Sequence, residues 1–143
     1  MKRSLVLVLC LVGSLILAST VFAAESTGQN VGIMATQYIT KYGCSIRDAG
    51  NNTVQMTGFT EANDYVDQIS VTLYLQRSSD GNNWSTILSS KYTETDYNAL
   101  DVDATTYESV APGYYYRTKA VHQVVNDGYT ESKISYSLKI HID

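Results

Sequence analysis

Histidine and cysteine are almost missing from this chain, with two of each in 143 residues. That leaves little material for a metal cage or an acid–base site, and no cofactor is implied. No G-x-S-x-G turn presents a serine nucleophile. No run of basic residues occurs either, and ten Lys and Arg stand against 14 Asp and Glu. Phosphate attraction dominates non-specific nucleic-acid binding, so an acidic chain excludes nucleic acid as a partner. The same balance suits an anionic membrane surface poorly. No window carries an apolar stripe at helical spacing in the mature part of the chain. A single proline beside 12 tyrosines argues against a disordered linker.

The one long apolar run stands at the start. Lys2 and Arg3 precede it, it extends from Leu5 to Val21, and Val21-Phe22-Ala23 closes it with small residues at the first and third places. This is the pattern of a secretory signal helix and predicts cleavage after Ala23, with Ala24 opening the mature chain. The competing reading is an uncleaved anchor, since the run approaches the ~20 residues that span a bilayer. No second apolar run follows, so cleavage implies release outside the cell, with no membrane attachment afterwards. Ten basic residues less Lys2 and Arg3 leave eight against 14 acidic, a mature net charge of −6. Cys10 departs with the signal. Cys44 then has no disulfide partner in its own chain and reads as a small buried hydrophobe alternating with Ile46, or else as a reactive thiol.

The rest is strand after strand. Residues 1–23 are read as signal peptide, 24–41 as a leader or first strand, and 42–143 as a β-domain. Ile69, Val71, Leu73 and Leu75 alternate with polar neighbours, as do Ile134, Tyr136, Leu138, Ile140 and Ile142. A period of two places one face on a core and the other in water. Turn clusters at Asp48–Asn52, Ser78–Asn83 and Asn126–Gly128 separate the runs. The expected strands are Tyr42–Arg47, Thr53–Phe59, Ile69–Arg77, Trp84–Tyr92, Ala99–Thr106, Gly113–Val125 and Lys133–Ile142. About seven strands in such a span predict an all-β, immunoglobulin-like or fibronectin-type Greek-key sandwich.

Pro112-Gly113 leads into Tyr114-Tyr115-Tyr116-Arg117. A tyrosine entering the last-but-one strand of a sandwich after such a turn can pin the loop with its hydroxyl. Tyr116 is the structural candidate by parity with Thr118 and Ala120, and Tyr114 is its competitor. Val66-Asp67-Gln68-Ile69, Leu73-Tyr74-Leu75-Gln76-Arg77, Gly81, Trp84, Gly113 to Arg117, His122, Gly128 and Glu131-Ser132 follow one another in a familiar order. Together, from about Cys44 to Ile142, they resemble an uncharacterised family of small exported proteins of Gram-positive bacteria, a domain of unknown function. The resemblance implies an immunoglobulin-like fold and export, and assigns no activity. Thr118 departs from it where valine is expected, which would weaken the core there.

The chemistry-bearing residues mostly fail to converge. If Gly113–Val125 and Lys133–Ile142 pair around Asp127, His122 faces inward opposite Lys133 or Ile134, and His141 lies ~23 Å away at 3.3 Å per residue. They cannot share a metal ion. An EF-hand starting at Asp80 would need a glutamate where Lys91 stands, and Asp101 and Asp103 form a solvated face. A weak calcium contact at these loops stays open. Asn51-Asn52-Thr53 and Asn83-Trp84-Ser85 match the glycosylation acceptor pattern but read as turn residues.

Aromatic content remains. Trp84 opens a strand beside the Asp80-Gly81 turn, and Tyr92, Tyr97, Tyr107 and Tyr129 fall at strand ends or loops as candidate binding residues. Such rings stack on sugars or bury a partner's side chains, and they also fill a core short of phenylalanine. The reading is a non-catalytic exported module that binds an extracellular protein or glycan. A small secreted effector of toxin or bacteriocin type, and a hydrolase with an unrecognised site, are the alternatives.

Overall fold

A computed structural model describes Tyr38–Asp143. The expected signal helix, its cleavage point at Ala23 and Ala24, and the leader as far as residue 37 lie outside the described residues. β-branched and tyrosine residues recur at alternate positions, and every regular element among the described residues is a strand. These are β1 (Ile39–Gly50), β2 (Thr53–Ser78), β3 (Ser85–Ser109), β4 (Tyr114–Asn126), β5 (Tyr129–Tyr136) and β6 (Ile140–Ile142). They form an antiparallel sheet in the order β1-β2-β4-β5, with β3 beside β2 and β6 beside β4. Asn51 and Asn52 join β1 to β2 at φ 52° and 53°, and Asp127 and Gly128 join β4 to β5 at 49° and 78°. Left-handed backbone at both central residues suits the twist of the flanking strands.

β2 has 26 residues. Straight, it would span about 86 Å at 3.3 Å per residue, whereas a domain of this size has a radius of gyration of ~13 Å. It bends. Its pairing with β3 slips between Glu61 and Val66, and Asn63, Asp64 and Tyr65 are exposed there. Before this corner β2 lies between β1 and β3; after it, between β3 and β4. Buried positions change parity across it, from Val54 and Met56 to Ile69, Val71 and Leu73. The two halves of β2 then meet face to face. A Cβ on Gly58 would lie 2.6 Å from Leu73 Cδ2 and 3.1 Å from Val71 Cγ2, so this approach needs glycine. β1 packs over β4, β5 and β6, and the curled sheet closes around the buried residues.

The structure corrects three details of the sequence reading. Thr53–Phe59 and Ile69–Arg77 are one strand, as are Trp84–Tyr92 and Ala99–Thr106. No glycine or proline stands between the halves of β2, so pairing passes the corner as an irregularity instead of stopping at a loop. Conversely, Lys133–Ile142 is divided between β5 and β6. The Ser137 hydroxyl oxygen takes the Thr118 N–H at 2.8 Å, and pairing with β4 resumes only at Ile140.

The face of β5 is also inverted. Ile134, Tyr136 and Leu138 point outward, at 52%, 51% and 89% exposure. The other face, with Glu131 and Ser135, turns to a polar seam against β1, where Glu131 Oε2 accepts from the N–H groups of Tyr38 and Ile39 at 2.7 and 3.1 Å. Finally, Thr118 is fully buried, but its hydroxyl donates to the Ser45 carbonyl at 3.0 Å. A partnered hydroxyl escapes most of the burial penalty, so Thr118 ties β4 to β1 instead of weakening the core.

Candidate functional site

The second half of β2 and the adjoining β4 place Gln76 and Arg117 opposite one another on the outward face. Gln76 is 7% exposed; its Oε1 accepts from Arg117 Nε at 2.7 Å, and its Nε2 donates to Thr86 Oγ1 at 2.9 Å. The guanidinium carbon lies 4.3 Å from the centre of the Trp84 ring and 4.5 Å from that of Tyr136. Two rings at that range cannot share one face of a guanidinium, so it sits between them. Each such contact is worth about 0.5–1 kcal/mol when exposed and more as water is excluded.

Trp84 reaches this position because the preceding turn is tightly bonded. The Asp80 carboxylate accepts from the N–H groups of Asn82 and Asn83, the Asn83 amide and the Ser78 hydroxyl. Those donors, the Asn83 and Asn82 N–H groups foremost, hold Asp80 well below the usual carboxylate range. Gly81 takes φ 71°, and its carbonyl accepts from Lys139 Nζ at 3.0 Å, with Lys139 also lying over the Tyr115 ring. The loop considered for calcium is thus a turn whose acid is occupied by donors. Among the described residues no three His, Cys, Asp or Glu side chains gather to hold a metal.

Comparison with protein-family models and with curated proteins finds no match to the chain.

The residues singled out from the sequence are dispersed. Tyr116 is 1% exposed and its hydroxyl donates to the Ala111 carbonyl at 2.8 Å, with Tyr114 set edge-on against it and under Arg77. Tyr92, Tyr97, Tyr107 and Tyr129 are all exposed. Tyr92 donates to Glu94, which raises its phenol above the ordinary range, and Tyr107 accepts from Gln55. Tyr92 and Tyr97 lie within β3, not at a strand end, about 17 Å apart along it at 3.3 Å per residue, and Tyr107 stands on the other side of the corner, opposite Gln55. Tyr129 lies beyond β2 and β4 from them. They make no shared platform. Trp84 alone joins a cluster; of its partners, Arg117 and Gln76 carry no sequence mark beyond outward parity, and Tyr136 stood on the apolar face expected to point inward.

The interior holds a second polar group. His122 is fully buried, with Nδ1 2.9 Å from Thr60 Oγ1 and Nε2 2.8 Å from Ser135 Oγ, which lies 3.3 Å from Cys44 Sγ. Burial pushes His122 down to about 4 and raises the Cys44 thiol. His141 sits apart on β6, against Tyr115 and Asp143. A shallow groove of about 400 Å³ crosses β1, β2 and β3 on the outward side of Gly58, between Ser45, Thr57, Phe59 and Asp103.

Proposed function

We propose that this protein is an exported, non-catalytic binding module that recognises an extracellular glycan or protein through the face of Trp84, Arg117 and Tyr136. The observation that carries the proposal is the clamped guanidinium between two rings, on a surface where Tyr136 stays half exposed. Partly exposed aromatic faces with a polar handle suit both sugars and protein side chains. An immunoglobulin-like sandwich, as in the Gram-positive family that the sequence resembles, is supported by β1 packing over β4 to β6 and by the Tyr116 hydroxyl on the loop upstream. The signal pattern ending at Ala23 supports release outside the cell.

Ser135 and His122 touch as a nucleophile and its base would, but the third position is a threonine hydroxyl. A neutral oxygen cannot stabilise an imidazolium as a carboxylate does. A base pushed down to about 4 is also weak at neutral pH, which supports a structural role for the pair. Arrays of peptidoglycan, glycans and extracellular proteins test the proposal. Trp84→Ala and Tyr136→Ala, if they keep their urea midpoints near the parent's, are expected to lose the captured ligand. Undiminished capture by both would remove this face from consideration.

A further inference from the structure

We infer that the face around Arg117 takes an anionic glycan, with the guanidinium receiving a carboxylate or phosphate and the neighbouring rings receiving sugar; this rests on the proposed binding role of that face. Arg117 is held for such a task. Its Nε is tied to the buried Gln76 and its guanidinium carbon lies over the rings of both Trp84 and Tyr136. Among the described residues nothing hydrogen-bonds its two terminal nitrogens, and it enters no ion pair. A planar fork fixed in advance, with both terminal donors open, matches the paired oxygens of a carboxylate or phosphate. Little side-chain freedom is left to lose on binding.

The charge around it points the same way. The outward positions from Gln68 to Ser78 on β2, Tyr115 to Val125 on β4 and Thr130 to Tyr136 on β5 hold Arg117 and Lys119 and no carboxylate. The chain as a whole has 14 acidic residues, yet the strands of this face carry only cations; at its margin the Asp80 carboxylate is engaged by donors of its own turn and Asp143 lies against His141. Lys139, over Tyr115, adds a third cation. Lys119 stands between Tyr74 and Tyr136 in the register, so charge and ring alternate across the sheet. A free anion or an acidic peptide would use the cations and leave the rings idle. A charged sugar chain uses both.

Trp84 is the chain's one tryptophan and contacts Arg117, so its emission reports this site directly. The experiment titrates the mature protein with a tetrameric oligouronate, a phosphate-linked hexose oligomer, the carboxyl-reduced oligouronate and an oligoglutamate. A saturable change in Trp84 emission with either charged oligomer, weakened by salt, is expected, and which of the two binds identifies the anion's source. Arg117→Gln should weaken that binding about tenfold or more, the scale of a charged hydrogen-bonded pair. Lys119→Gln, outside the ring clamp, should weaken it less and flatten the salt dependence, which keeps the test valid if Arg117→Gln fails to fold. Equal binding of the reduced oligomer, untouched by both variants, would overturn the anion while leaving a glycan site. Binding of oligoglutamate alone would overturn the glycan. No response to any of the four, with the arrays also blank, would overturn the binding face itself.

Discussion

Replacing Tyr116 by phenylalanine removes one atom from the centre of the loop contact before β4. The hydroxyl donates to the Ala111 carbonyl at 2.8 Å, and the ring beneath is 1% exposed. An intramolecular hydrogen bond contributes about 1 kcal/mol net, and a buried orphan acceptor would add to the loss. Ala111 is exposed, so water can replace the lost donor and the expected cost stays near 0.5–1 kcal/mol. Tyr116→Ala also empties the ring's volume and should cost about 3–5 kcal/mol. Tyr115→Phe supplies the control. Tyr115 points outward against His141 and Lys139, and its hydroxyl has no hydrogen bond among the described residues, so near-neutrality is expected. Urea melts with a common slope m give the three values, since a shift in midpoint at constant m is a change in stability alone. A silent Tyr116→Phe beside a damaging Tyr115→Phe would refute both the loop contact and the assignment of inward and outward faces on β4.

Gly58→Ala pushes a methyl toward Leu73 Cδ2 and Val71 Cγ2 and should cost about 1–3 kcal/mol by overpacking; combining it with Leu73→Val should be less than additive in a double-mutant cycle, and strict additivity would mean that the halves of β2 do not touch. Because folding lowers His122 from 6.5 to about 4, the unfolded chain holds the extra proton between those values. Its contribution, on the order of 3 kcal/mol, is therefore complete above pH 6.5 and is lost as the pH falls toward 4. Urea midpoints of the parent and His122→Gln should converge over that window, and parallel pH profiles would count against it. N-terminal sequencing of the protein from culture supernatant should begin at Ala24, and recovery only in a membrane fraction with Met1 retained would reverse the reading of the signal.

The strand content and the tight turns were legible because their causes are local. Alternation marks a pleated surface, and Asn51-Asn52 and Asp127-Gly128 adopt left-handed backbone at low cost. The corner of β2 left no such mark, being built from exposed ordinary residues at Asn63 to Tyr65. Only the change of parity between Met56 and Ile69 hinted at it. The face of β5 could not be read from alternation, which says that two faces differ but not which one meets the core. Here the apolar face went outward because Glu131 and Ser135 had partners across the seam, the Tyr38 and Ile39 N–H groups and Cys44. Arg117, Trp84 and Tyr136 come from three separate parts of the chain, and only the register of β2 on β4 and β4 on β5 brings them together.

The length of β2 bears on how the molecule opens. Neither half of the sheet owns a complete set of strands, since β2 and β3 pair with one another on both sides of the corner. A fluctuation that melts one half must strip bonds from the very segments that anchor the other. The domain should therefore behave as one cooperative foldon, with low-energy fraying confined to its margins at β5 and β6. Amide hydrogen exchange along β2 should then slow to a common rate on both sides of Asn63 to Tyr65. Away from those margins proteases would find no half-open species to cut, and digestion within β2 and β3 would track global unfolding.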